Sequence, residues 1–209
     1  MTSPASARTL GPEYFDRMYA VSPDPWGFES RWYEQRKYAI TLAMLPRPEY
    51  PAAFEPGCSI GVFTELLAPR CGRLLACDGA AAAVGAAAAR TAHLPNVTVR
   101  PGELPGDWPA GQFDLIVLSE LLYYFGGGDL GQVLDLAVAG LCDGGTLLAV
   151  HWLHPVDGYP RSGADVHRRL AAQPGLARLA THREADFLAE AYVRTDGSPV
   201  SVAQASGLV

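Results

Sequence analysis

The sequence predicts a doubly wound α/β domain: a mostly parallel sheet with helices on both faces and an antiparallel C-terminal pair. Three observations carry this prediction. Short apolar segments alternate with helical ones from about residue 52, the pattern of a parallel sheet covered on both faces. The run Ala53-Phe54-Glu55-Pro56-Gly57-Cys58-Ser59-Ile60-Gly61 ends an apolar stretch in an acid and a glycine loop. A second acid, Asp78, closes the next apolar segment 21 residues after Gly57. The final apolar segments, 176–182 and 186–194, flank the short turn His182-Arg183-Glu184, which requires antiparallel pairing.

Taken in order, residues 1–10 are small and polar and are expected to be flexible. Residues 11–26 carry aromatics and end in the turn-rich Ser22-Pro23-Asp24-Pro25-Trp26-Gly27. From Phe28 to Leu45 the spacing is helical: Trp32, Arg36, Ile40 and Met44 recur every fourth residue. Pro46 and Pro48 stop that helix, so 11–48 reads as an N-terminal helical lid. Strands are predicted over 52–55, 73–78, 96–100, 113–118 and 145–152, with helices over 60–69, 80–92 and 129–141 between them. The alanine cluster Ala80–Ala89 is a helix because alanine costs least in one. A helix near 162–172 precedes the final pair, and the polar tail 196–209 is expected to fray.

The totals bound the function. The chain has 209 residues, 49% hydrophobic and 18% charged, which suits one domain, 1–209, with a full core. A formal charge of −6 argues against a nucleic-acid partner, since phosphate binding needs clustered cations. Lys37 is the only lysine. Cys58, Cys71, Cys77 and Cys142 form no CxxC pair, so they read as reduced thiols of a cytoplasmic protein. Met1–Leu10 lacks the apolar core of a signal peptide. No run approaches the ~20 apolar residues of a membrane span. The chain is compatible with a homodimer.

The glycine loop and Asp78 read as a nucleoside pocket. Glycine lets backbone approach a ligand closely, and the later carboxylate can accept from two adjacent ribose hydroxyls. Two cofactors compete. A dinucleotide wants G-x-G-x-x-G, whose middle glycine admits pyrophosphate; here Ser59 stands in that place and Glu55 would repel phosphate. S-adenosylmethionine carries no phosphate, and Glu55 suits its ammonium group. The pattern G-x-S-x-G also describes a nucleophile elbow, with Asp157 and His182 as partners, but an elbow normally follows several strands.

Ligands of such sheets sit beyond the carboxyl ends of the strands. Glu103 and Leu104, after the third strand, are placed for an adenine edge. Ser119 and Glu120, after the fourth, face the reaction site with Tyr123 and Tyr124. Asp114 lies at the opposite end and reads as structural. His151 ends the fifth strand. Its ordinary pKa of about 6.5 suits a general base, with Glu120 orienting it. Trp152, His154 and Tyr159 lie nearby as acceptor contacts, since aromatic faces stack on sugar C–H surfaces. Glu120, His151 and His154 could instead hold a divalent ion such as Mg²⁺.

The loop Glu55–Gly61, Asp78, Gly102-Glu103 and Phe113–Tyr124 resemble the class I S-adenosylmethionine-dependent methyltransferases, whose Rossmann-like fold has a mostly parallel seven-stranded sheet with an antiparallel C-terminal strand. The segments Asp24-Pro25-Trp26-Gly27-Phe28, Arg31–Tyr38 and His151-Trp152-Leu153-His154-Pro155-Val156 are similar to the nodulation protein S family. Named members of that family N-methylate the terminal glucosamine of chitooligosaccharides. These segments also look like an actinobacterial relative that caps a methylated mannoside at its anomeric hydroxyl. The resemblance implies that Gly57 and Gly61 line the methionine moiety, Asp78 the ribose, and Glu103 and Leu104 the adenine. Trp26, Arg31 and Arg36 would close the site from the lid, an arginine pairing with the cofactor carboxylate. Ser59 and Glu103 depart mildly from the family pattern. The reading is a sugar methyltransferase with a small saccharide acceptor: O-transfer with His151 as base, or, as the alternative, N-transfer to an amino sugar. A non-catalytic cofactor-binding regulator and a nicotinamide oxidoreductase are the other classes weighed.

Overall fold

The computed structural model describes residues 8–209. Among them, helices α1 (Pro12–Val21) and α2 (Trp32–Ala43) precede the alternating unit β1 (Tyr50–Pro56), α3 (Val62–Leu67), β2 (Cys71–Asp78), α4 (Ala81–Thr91) and β3 (Val97–Pro101). There follow β4 (Phe113–Ser119), a 3-10 turn (Leu122–Tyr124), α5 (Gly127–Gly140), β5 (Leu141–Trp152) and α6 (Gly163–Ala171). The chain closes with β6 (Leu176–Arg183), β7 (Phe187–Arg194) and a short α7 (Val202–Ala205).

The seven described strands form one sheet in the order β3-β2-β1-β4-β5-β7-β6. Strands β1 to β5 pair in parallel, and β7 runs antiparallel between β5 and β6. The strand order reverses between β1 and β4, so a crevice opens at their carboxyl ends, where ligands of such sheets bind.

Period-two alternation sends Leu115 and Val117 of β4 to one face and Ile116 and Leu118 to the other. The first pair packs with Phe63, Leu67 and Leu74, the second with Leu130, Val133 and Leu147. All four β4 side chains are fully buried, each worth about 1.5–3 kcal/mol over exposure. At the amino end, the Ala52 N–H donates to Asp114 Oδ2 at 3.0 Å, so Asp114 ties β4 to β1 away from the crevice.

The structure differs from the sequence reading at the chain ends. Residues 1–7 of the expected flexible stretch lie outside the described residues. Thr9 and Leu10 are anchored: the Leu10 N–H donates to Tyr124 O at 2.9 Å, and the Gly126 N–H to Thr9 Oγ1 at 2.9 Å. Helix α1, inside the 11–48 segment expected to form a helical lid, starts on a proline at its first turn, where the missing N–H costs nothing. In the tail expected to fray, Ser201 and Gln204 form a reciprocal capping box that starts α7. No helix among the described residues is long and apolar enough to cross a membrane.

Candidate active site

A cavity of about 480 Å³ lies over the carboxyl ends of β1, β2 and β4, roofed by α1 and the segment leading into α2. One half is built on the glycine loop. Gly57 holds φ +71°, and a Cβ there would press to 3.0 Å on Leu121; only glycine takes that backbone without strain. The Gly57 and Cys58 N–H groups both donate to Cys77 O, at 2.7 and 3.0 Å, which stitches the loop to the end of β2. The Asp78 carboxylate then accepts from the Ser59 N–H and the Ala80 N–H, each at 2.9 Å. Glu55, beneath the loop, is buried with Oε2 unpartnered, and burial pushes its carboxyl up to about 8. Tyr19 of α1 closes over the loop, its hydroxyl 2.6 Å from Ser59 Oγ. Trp26 packs edge-on against Tyr19 and stacks on Phe28.

The other half is aromatic around a buried charge cluster. Lys37 Nζ lies 2.8 Å from Glu34 and 2.8 Å from Glu120, under the face of Tyr33 at 5.2 Å. Its side chain is 3% exposed. Burial pulls Lys37 down, but the two carboxylates outweigh burial and hold it above the ordinary lysine value. Glu120 Oε2 accepts from Tyr123 Oη at 2.5 Å and from the Trp152 N–H at 3.0 Å. Burial, and then the charge of Glu120, push the Tyr123 phenol well up, so it stays a donor. Glu120 itself sits at φ 52°, a left-handed backbone that costs a non-glycine residue about 1–3 kcal/mol and clusters at functional sites. Four bonds over-determine it, the fourth from its own N–H to Val150 O at 2.8 Å. Tyr123 stacks on Tyr159, and Tyr33 meets Trp152 edge-on.

Most of the residues singled out from sequence converge here. Trp26, Arg31, Glu55, Gly57, Asp78, Glu103, Leu104, Ser119, Glu120, Tyr123, Tyr124, Trp152 and Tyr159 all line the cavity. Four do not, and each is a correction. His151 is fully buried, its Nε2 accepting from the Leu122 N–H at 3.2 Å and its Nδ1 3.1 Å from His167. Both nitrogens are engaged away from the cavity, so it is not placed as a general base. Arg36 faces outward in a bidentate pair with Glu184 at 2.7 Å, because its helical position turns it from the roof. Gly61 does not reach the cavity. It lets the loop close on α4, where a Cβ would come within 2.9 Å of the Ala87 backbone. His154 is exposed and paired with Asp186 at 2.7 Å.

The metal reading fails with them. Among the described residues, no three His, Cys, Asp or Glu side chains converge to hold an ion; Glu120, His151 and His154 face three different surroundings, so they do not fit Mg²⁺.

Sequence reasoning missed Tyr19, Glu34 and Lys37 as cavity residues. A signal existed for each. For Glu34 and Lys37, the only lysine sits three residues after Glu34, the spacing of neighbours on one helical face. For Tyr19 the signal was Tyr14, Phe15, Met18 and Tyr19, an apolar stripe at helical spacing after a proline.

The family model of nodulation protein S (NodS) matches residues 13–140. Nodulation protein S of Bradyrhizobium diazoefficiens is 36% identical over 113 residues, 54% of each chain. That of Rhizobium tropici is 33% identical over 120 residues, 57% of this chain and 48% of its own. The chain thus spans about half the length of the curated relatives it matches. Among solved structures, a Pseudomonas syringae protein ascribed to the methyltransferases is 46% identical with a TM-score of 0.70, covering 78% of this chain and 100% of that one. The N-methyltransferase NodS from Bradyrhizobium japonicum, in complex with S-adenosyl-L-homocysteine, is 26% identical with a TM-score of 0.78, covering 88% of this chain and 97% of that one. The chain belongs to the nodulation protein S family, and its sheet is the Rossmann-like fold of the S-adenosylmethionine-dependent methyltransferases.

Proposed function

We propose that this chain is an S-adenosylmethionine-dependent methyltransferase whose acceptor is an amine, on an amino sugar of the nodulation-factor type. The family match and the likeness to an N-methyltransferase support the reaction class. The cavity fits the cofactor on its own terms: a glycine cradle that a Cβ would fill, an acid at the tip of β2, and a buried carboxyl oxygen without a partner. S-adenosylmethionine, when bound, supplies a methyl group already activated by a positive sulfur.

In this reading Asp78 accepts from the ribose hydroxyls with the lone pairs its two backbone donors leave free. Glu55 takes the ammonium and Arg31 the carboxylate of the methionine moiety. Glu103 and the Leu104 backbone meet the adenine, and Ser119 lines the floor beside the reacting end. Trp26 and Tyr19 cover the loop and exclude water.

One observation carries the choice of acceptor. The histidine that a sugar hydroxyl would want as a base is buried with both nitrogens engaged, whereas the acceptor half offers Glu120. A carboxylate has about four lone-pair sites, and three donors occupy Glu120. The remaining site accepts an N–H of a neutral amine and aims the nitrogen lone pair toward the methyl. An amine needs alignment more than deprotonation, so positioning supplies most of the rate. Tyr33, Trp152 and Tyr159 supply faces for a sugar ring, and Tyr124 backs Tyr159.

Radiolabelled cofactor should be offered with glucosamine and chitooligosaccharides bearing a free terminal amine, with their N-acetylated forms, and with methylmannosides. Label is expected on the free amines and absent from the N-acetylated forms. Label on mannoside hydroxyls alone would favour O-transfer, and no label on any acceptor would remove the proposed activity.

A further inference from the structure

A line of buried hydrogen bonds runs under the acceptor half, through groups the mechanism does not use. It starts at the Leu122 N–H, which opens the 3-10 turn carrying Tyr123 and Tyr124, and passes to His151 Nε2 at 3.2 Å. His151 Nδ1 faces His167 Nε2 at 3.1 Å, and His167 Nδ1 faces Glu190 Oε2 at 2.7 Å. Glu190 also accepts from Tyr192 Oη at 2.6 Å and from Arg178 Nη1 at 2.9 Å. The line therefore crosses β5, α6, β7 and β6. Gly163 makes the crossing possible: a Cβ there would overlap the Trp152 carbonyl and press on His151 at 3.1 Å, so only glycine brings α6 close enough for the two rings to meet.

Donor counting leaves one proton arrangement. A backbone N–H only donates, so His151 Nε2 is bare. A neutral His151 then carries its proton on Nδ1 and donates to His167, whose Nε2 must be bare in turn. His167 carries its proton on Nδ1 and donates to ionised Glu190. Burial, above all, and the positive charge of Lys37 hold His151 well below the ordinary histidine range. Burial opposes ionised Glu190, but its bonds from His167, Tyr192 and Arg178 outweigh burial and bring it down to about 2.

We propose that His151 and His167 are positioning residues: a fixed-tautomer clamp on the Leu122 amide that sets the turn presenting Tyr123 and Tyr124 to the acceptor. The functional part of this inference rests on the amine-acceptor reading above; the clamp itself does not. Long-range ¹H–¹⁵N spectra of the full-length protein at pH 7 should show both rings neutral with the proton on Nδ1. An Nε2–H tautomer or a cationic ring at either residue overturns the clamp, and this measurement needs no variant.

Two substitutions then read its consequence. A glutamine carboxamide reaches where Nε2 was, an asparagine only where Nδ1 was. His151→Gln should keep slow hydrogen exchange at the Leu122 amide and a near-native acceptor KM. His151→Asn should speed that exchange and raise acceptor KM by about 2–10-fold, the range of one lost hydrogen bond, with the dissociation constant of S-adenosylhomocysteine unchanged. Equal Leu122 exchange or equal acceptor KM in the two variants overturns the positioning role. If the wild type transfers no methyl to amines, the acceptor reading falls, while the tautomers and the exchange still decide the clamp.

Discussion

Lys37, on α2, places its ammonium 2.8 Å from a carboxylate oxygen of Glu120, 83 residues away at the tip of β4. This one contact ties α2 to the carboxyl edge of the sheet. It also balances one of the two acids, Glu34 and Glu120, that flank it in the cavity wall.

Replacing Lys37 with methionine keeps the stem and removes the charge. Breaking a buried pair from one side leaves an uncompensated charge and costs about 3–5 kcal/mol. The Lys37→Met variant should lose stability of that order in urea unfolding. A loss below about 1 kcal/mol would show that the cluster is solvated rather than buried.

Asp78→Ala removes a carboxylate that anchors the Ser59 and Ala80 amides and, on the proposed function, binds ribose. A hydrogen bond to a charged group is worth about 1.5–3 kcal/mol, or roughly 10–150-fold in affinity. Calorimetry with S-adenosylhomocysteine should find a dissociation constant weaker by that factor. Unchanged affinity would remove Asp78 from the cofactor site.

Glu55 predicts a slope of stability against pH. Burial pushes its folded-state value up to about 8, against about 4.3 when unfolded. Between those values the folded protein holds a proton that the unfolded chain has released. Stability attributable to this group is therefore unpenalised below about pH 4, declines as pH rises through the window, and is lowest above 8. Glu55→Gln has nothing to titrate, so its Tm should gain on the wild type across pH 5–8. Parallel Tm curves for the two proteins would contradict a buried, protonated Glu55.

The metal and histidine readings have a joint test. His154 is half-exposed, pairs with Asp186 at the surface and rests on the outer side of Trp152, and surface changes of that kind fall within about 0.5 kcal/mol. His154→Ala, and EDTA treatment of the wild type, should each leave turnover within about twofold. A tenfold fall in either would restore a catalytic or metal-holding role to the His154 edge.

The fold was legible because its signals are local. Alternation of short apolar runs with helices, glycine at Gly57, and acids closing β1 and β2 each depend on neighbours in sequence, and they placed the strands to within a few residues. The boundary least well read was that of β5, which starts at Leu141 rather than 145: Gly144 and Gly145 look like a break, but the strand passes through them because Leu141 pairs with Phe113 across a register shift. The glycine-loop half of the cavity was legible for the same reason, as its residues follow directly from strand ends.

The sequence by itself determined the parallel sheet, the glycine loop and the acid that answers it, because each is set by spacing along one strand–loop–helix unit. Only the tertiary structure decided which groups face the cavity. His151 and Glu120 both sit at strand ends, yet the close approach of α6 at Gly163 draws the imidazole inward to His167, while Lys37, arriving from a distant helix, fixes the carboxylate at the cavity wall. Side-chain direction at a strand end depends on what packs against it, and those neighbours come from segments no local pattern connects.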